Sequence, residues 1–147
     1  MNIYYRQAKE EDNNDIRLLL QSQNLPTESI GAGTTDFYLA IENNNIVGVA
    51  GFEYYGDDAL LRSVAVPTSL QNKGIGSRLS DWMIALAKQQ GKQRIVLLTT
   101  TASKFFIKKG FSIVDRSSIL NDNMKRSSQF NGGCCSSAAC MVLNITS

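Results

Sequence analysis

Histidine occurs nowhere in the 147 residues, which removes the commonest general base, every Ser-His triad and every histidine-dependent metal site. Cysteine is scarce and poorly placed for crosslinking. Cys134, Cys135 and Cys140 all fall in the last fourteen residues, and an odd, clustered set is no disulfide framework. Reduced thiols are expected, and no metal. No stretch approaches the roughly 18 to 20 consecutive apolar residues of a membrane span, and the opening Met-Asn-Ile-Tyr-Tyr-Arg lacks a basic segment followed by an apolar run. A cytoplasmic protein without a membrane partner is the expectation. Nor is one sign of charge in excess: fifteen basic and thirteen acidic residues leave +2, far from the cationic field that phosphate-backbone binding needs. Nucleic acid is not an expected partner.

What is present is an ordinary globular composition, 43% hydrophobic and 19% charged, with no signature of disorder. The length suits a single domain over residues 1–147 with one active site. A short strand is predicted over residues 3–7 and a helix over about 10–23, where acid clusters at the start and Ile16, Leu19, Leu20 and Gln23 recur at helical spacing. Strands follow at 36–41, 46–55 and 59–66, parted by Asn43-Asn44-Asn45 and Gly56-Asp57-Asp58 and ending at Pro67. From Gly76 to Gly91 the apolar period is helical, carried by Leu79, Trp82, Met83, Leu86 and Ala87. A buried strand over 94–99, a short helix over 102–109 and a strand over 111–114 read as a βαβ unit. Residues 117–137 are rich in Ser, Asn and Gly, and 138–145 has the pattern of a last strand. The fold class is α/β (α+β), a meander followed by that unit.

In Val64-Ala65-Val66-Pro67-Thr68-Ser69-Leu70-Gln71-Asn72-Lys73-Gly74-Ile75-Gly76-Ser77, two glycines let the backbone turn tightly and approach a ligand where a helix begins. Helix N-terminal N–H groups and the positive end of the dipole suit a diphosphate. A dinucleotide fingerprint would need a third glycine where Leu79 stands. A helix-start turn with no ligand is the plain alternative.

Strand, proline and Gln-x-x-Gly-x-Gly opening an amphipathic helix resemble the acetyl-CoA signature of the GNAT acetyltransferase superfamily. Phe105-Phe106-Ile107-Lys108-Lys109-Gly110-Phe111 is similar to its Phe-Tyr-x-x-x-Gly-Phe segment. The resemblance implies a mixed, mostly antiparallel sheet of six to seven strands, splayed in the middle with helices on both faces. It implies acetyl-CoA as cosubstrate and a small-molecule amine as acceptor. By position, amides of Gln71, Asn72, Lys73, Gly74, Ile75, Gly76 and Ser77 hold the pyrophosphate, with Lys73 or Arg78 near phosphates. Main-chain groups of Val64, Ala65 and Val66 take the pantetheine arm and polarise the acetyl carbonyl, and Phe105 and Phe106 lie against the cofactor. Solvated surface charge is the alternative for Lys73 and Arg78. Dimerisation, common in the superfamily, is expected on the same ground.

Acetyl transfer to an amine needs the amine deprotonated and an oxyanion stabilised. Without histidine, Glu53 is the first candidate base, directly or through water; its alternative is a structural ion pair with a cation such as Arg62. Arg62, an arginine on an apolar strand, either clamps an acidic substrate group or pairs with Glu53. Thr99-Thr100-Thr101 offers hydroxyls at a strand exit, Thr100 among them for substrate, or else β-propensity and a helix cap. Phe106 stands where many superfamily members carry a tyrosine acid; Tyr54, Thr101 and Ser103 are alternative hydroxyls. Leu25-Pro26, the run Leu60 to Val66, Leu97 to Ala102, Ser128-Gln129-Phe130 and the Cys134 to Met141 tail resemble the small GNAT proteins of arsenic-resistance operons, although Cys135 stands where proline is expected. That resemblance implies a glutamate-like phosphinate or arsinate amino acid bound through Arg62. Against these readings stand a protein-amine acetyltransferase, a catalytically silent acyl-CoA sensor, and an arsenical-binding module built on the thiols.

Overall fold

The computed structural model of the chain describes residues 2–118, 124, 127 and 138–145. Its elements are β1 (Tyr4–Gln7), α1 (Asn13–Ser22), β2 (Asp36–Glu42), β3 (Asn45–Tyr55), β4 (Asp58–Ala65), α2 (Ile75–Gln89), β5 (Arg94–Thr99), α3 (Ser103–Lys108), β6 (Ser112–Val114) and β7 (Ala139–Asn144). Short 3-10 turns lie at Glu10–Asp12, Thr68–Leu70 and Arg116–Ser118. The seven strands form a mixed, mostly antiparallel sheet in the order β1-β2-β3-β4-β5-β7-β6. The chain divides into two compact units, Met1–Glu53 with Ser63–Ala85, and Tyr54–Arg62 with Leu86–Ser147.

In the first unit β1, β2 and β3 are antiparallel neighbours. The β2–β3 turn carries Asn43 and Asn44 at φ +50° and +65°, the two left-handed residues of a type I′ hairpin, which asparagine tolerates best after glycine. Alternation along β2 then feeds two layers. Phe37, Leu39 and Ile41 pack with Ile16 and Leu20 of α1, while Tyr38 turns to Trp82 of α2, their ring centroids 5.6 Å apart. Tyr5 stacks on the same indole at 5.3 Å. At Gly48 a Cβ would lie 3.2 Å from Leu79 Cδ2, so β3 has glycine where α2 presses closest. Each fully buried Leu or Phe here contributes about 1.5–3 kcal/mol, which anchors α2 firmly. The acidic start of α1 has a specific partner: Arg6 donates to both Asp12 oxygens at 2.8 and 3.1 Å, and the Lys9 N–H donates to the same carboxylate at 2.7 Å.

The second unit is built on β5. Its parallel ladder with β4 runs from Asp58↔Arg94 to Leu61↔Leu97, whereas β4 continues to Ala65 and β5 to Thr99. The sequence pattern placed a βαβ unit at β5-α3-β6, and the structure modifies this. β7 pairs antiparallel with both β5 and β6, so those two run in the same direction with β7 between them, and the adjacent parallel pair is β4 and β5. Leu60, Val96, Met124, Cys140 and Val142 form the core of this unit. Gly91 (φ +78°) ends α2, with the Lys92 N–H reaching back to the Ala87 carbonyl at 3.0 Å.

Candidate active site

Strand β4 carries one irregular residue, just after Arg62. Ser63 has φ +57°, a left-handed conformation that costs a non-glycine residue of order 1–3 kcal/mol and collects at functional sites. Val64 and Ala65 follow it as the last residues of the strand. Nothing in the sequence marked it, because serine carries no signal for this conformation. Val64 is half-buried, while Ala65 and Val66 are buried; Ala65 belongs to the core around α1, so only its main chain is available to a ligand.

Beyond Pro67 the chain makes its 3-10 turn, closed by the Leu70 N–H on the Pro67 carbonyl at 2.8 Å. Asn72 (φ +67°) and Gly74 (φ +85°) are both left-handed, and the helical ladder of α2 begins with the Arg78 N–H on the Gly74 carbonyl at 3.0 Å. The amides preceding Arg78 therefore lie outside that ladder at the positive end of the helix dipole. The Gln71 carboxamide is turned inward, donating to the Val66 carbonyl at 3.1 Å, a structural task that sequence reasoning did not assign to it. At Gly74 nothing lies within 4 Å of an added Cβ, so glycine answers a dihedral need and not a lack of space. At Gly76 a Cβ would meet only Val66 Cγ2, at 3.7 Å. Glycine there costs about 1 kcal/mol of helix propensity relative to alanine and answers no crowding from the chain. A bare backbone, two left-handed turns and a dipole end fit a diphosphate. Ile75 is buried toward Gly48, leaving its main chain for binding. Ser77 is half-buried, and Lys73 and Arg78 are exposed.

The remaining candidates divide between the units. Glu53, 3% exposed, belongs with the loop residues in the first. Arg62, also 3% exposed, belongs to the second with Thr100, Phe105 and Phe106. Thr100 is exposed, whereas the Thr99 hydroxyl accepts the Ala102 N–H at 2.9 Å, in the turn before α3. Phe106 is buried, its ring edge-on to Phe105 at 5.0 Å and tilted to Phe111 at 5.4 Å. Of the hydroxyl alternatives, Tyr54 lies under Lys92 Nζ, 5.0 Å from its ring centre, Ser103 is half-buried and Thr101 is exposed. Ser128, Gln129, Phe130, Cys134 and Cys135 fall outside the described residues. Among the described residues no three Cys, Asp or Glu side chains gather as a metal site would require, and no helix is long and apolar enough to cross a membrane.

A glycine loop at the start of a helix, entered from a strand of a mixed, mostly antiparallel sheet, is the arrangement of an α/β acyltransferase fold. Residues 33–113 match the acetyltransferase (GNAT) domain family. The protein belongs to that family and is an acetyltransferase with acetyl-CoA as its cosubstrate. No curated protein matches the sequence. Among solved structures, the chain is similar in fold to N-acetylglutamate synthase from Neisseria gonorrhoeae complexed with coenzyme A and N-acetyl-glutamate, at 22% identity and TM-score 0.83, covering 100% of this chain and 36% of that one. It is likewise similar to Rv2747 from Mycobacterium tuberculosis in complex with CoA and NLQ, at 20% identity and TM-score 0.81, covering 97% and 99%. A third such structure is a GNAT-family acetyltransferase from Staphylococcus aureus Mu50, at 21% identity and TM-score 0.77, covering 99% and 100%.

Proposed function

We propose that residues 1–147 form one N-acetyltransferase domain whose acceptor is the amine of a small acidic amino acid, of the glutamate-like phosphinate or arsinate kind met in arsenic and antimetabolite resistance. The observation that carries the reading is the loop from Gln71 to Ser77, whose left-handed Asn72 and Gly74 suit a diphosphate at the start of a helix. For the acceptor, the support is Arg62, a guanidinium buried on an apolar strand, which suits a carboxylate, phosphinate or arsinate. The resemblance to the arsenic-operon proteins points the same way. So does the N-acetyl-glutamate held by the Neisseria enzyme, which this chain matches over about a third of its length.

Acetyl-CoA supplies an acyl group activated as a thioester. In this reading the loop amides, with Lys73 or Arg78, hold the diphosphate, and main-chain groups of Val64, Ala65 and Val66 align the pantetheine and polarise the carbonyl. Glu53 takes the proton that the acceptor's ammonium must lose, Arg62 and Thr100 hold the acidic head group, and Phe105 and Phe106 wall the cofactor. The amine nitrogen then bonds to the acetyl carbon as the carbon–sulfur bond breaks. The departing sulfur leaves as CoA thiolate or thiol.

The test is free-thiol release from acetyl-CoA with a panel of amines, glutamate-like phosphinate and arsinate amino acids and a protein amine among them, in wild type and Glu53→Gln. Turnover confined to the acidic amino acids and reduced at least about a hundredfold in Glu53→Gln is expected. Turnover on the protein amine alone would move the acceptor to polypeptide. The buried ring of Phe106 offers no hydroxyl, so in this reading the thiolate leaves without an acid from that position. Tight CoA binding with no thiol release across the panel would refute the acceptor class proposed.

A further inference from the structure

Gln23 caps the end of α1, far in sequence from the cofactor loop, yet its carboxamide is engaged at one end by that loop and at the other by the 3-10 turn that leads into it. Its Nε2 donates to Thr68 Oγ1 at 3.2 Å, and its Oε1 accepts from Gln71 Nε2 at 3.0 Å. Gln71 Nε2 also donates to the Val66 carbonyl at 3.1 Å. A carboxamide nitrogen has two N–H donors, so both of Gln71's are committed, one to the end of β4 and one to the end of α1. Of the two residues Gln23 grips, Thr68 opens the 3-10 turn and Gln71 follows it, with the left-handed Asn72 next. The turn's own closing bond at that side is long, the Gln71 N–H standing 3.3 Å from the Thr68 carbonyl. Side-chain bonds from α1 thus brace the turn where its main chain is weakest.

We propose that Gln23 is a positioning residue for the cofactor loop: acting through Gln71 and Thr68, it holds the loop in the conformation that receives the CoA diphosphate. The proposal rests on the assignment of residues 71–77 as that loop. Gln23 and Gln71 form their bond in the exposed part of the structure, where a hydrogen bond adds little to global stability because water competes for both groups and long side chains lose freedom on being held. What the contact supplies is orientation. Its loss is therefore expected to reach ligand affinity more than folding.

CoA titration by calorimetry needs no knowledge of the acceptor. Gln23→Met, similar in length and without hydrogen-bonding groups, should weaken CoA binding roughly three- to tenfold while the thermal midpoint moves by no more than about 2 °C. Thr68→Val, which removes one of the two partners, should give a smaller loss in the same direction. In a Gln71→Met background the Gln23→Met change should add no more than the smaller loss that Thr68→Val gives, since the path through Gln71 is already cut. In turnover, the KM for acetyl-CoA should rise and kcat should hold. Unchanged CoA affinity in Gln23→Met, or losses that add fully in the double variant, would overturn the positioning role. A wild-type chain that binds no CoA would overturn the loop assignment itself, and this inference with it.

Discussion

Replacing Gly74 by alanine separates strain in the fold from loss of the ligand site. At φ +85° an L-residue is disfavoured by about 1–2 kcal/mol, and with nothing within 4 Å of the new Cβ there is no clash to add. The stiffer unfolded chain returns about 0.4–1 kcal/mol. The net cost is therefore about 1 kcal/mol, or roughly 3 °C in thermal midpoint for a domain of this size. Gly91 supplies a matched control: its φ is +78°, it too has open space around it, and it lies at the far end of α2. Gly91→Ala should lose the same few degrees and bind CoA as wild type does. Gly74→Ala should in addition lose one or two hydrogen bonds to the diphosphate, each about 1.5–3 kcal/mol when the partner is charged, and so bind CoA roughly ten- to a hundredfold more weakly or worse. Differential scanning calorimetry and CoA titration on the two variants decide it. Equal CoA affinity in both would refute the cradle, whatever their midpoints.

Two further outcomes follow from charge and burial. The hydrogen bond from Arg6, outweighing burial and aided by the Lys9 N–H, holds the Asp12 carboxyl below the ordinary carboxylate range. A lowered carboxyl contributes stability that is fully present above its unfolded value near about pH 4 and is lost as pH falls through the folded one. Asp12→Asn should therefore cost about 1.5–3 kcal/mol at neutral pH and flatten the acid limb below about pH 4; urea unfolding that matched wild type at pH 7 would contradict this. Burial pushes the Cys140 thiol up, against the opposing charges of Arg116 and Arg94, and leaves it 3% exposed. In a Cys134→Ser, Cys135→Ser background its alkylation should be at least roughly tenfold slower than that of a free thiol, and alkylation at the free-thiol rate would show that burial does not protect it.

Much of the layout was legible because the signals are local. Asn43-Asn44 could be read as a tight turn because asparagine tolerates left-handed dihedrals. The apolar repeat through Leu79, Trp82 and Met83 located α2, and its inner face is the one that packs on Tyr5 and Tyr38. Gly74 was legible for the same reason, as a residue whose backbone freedom the loop uses. The βαβ reading of β5-α3-β6 was incomplete for the opposite reason: β7, more than two dozen residues beyond β6, inserts between them, and no short window reports which strand will be its neighbour.

The sequence by itself therefore determined most of the helices, strands and turns, since these rest on periodicity and dihedral preference among nearby residues, and it carried the motifs by which the chain resembles its family. Only the tertiary structure decided the order of the strands, the left-handed Ser63 inside β4, the closure of Arg6 on Asp12 and the grip of Gln23 on Gln71, partners 48 positions apart. The physical reason is common to the last three. Serine, arginine and glutamine have no strong local preference for those states, and Arg6 and Gln23 are held there by groups that the folded chain brings within reach.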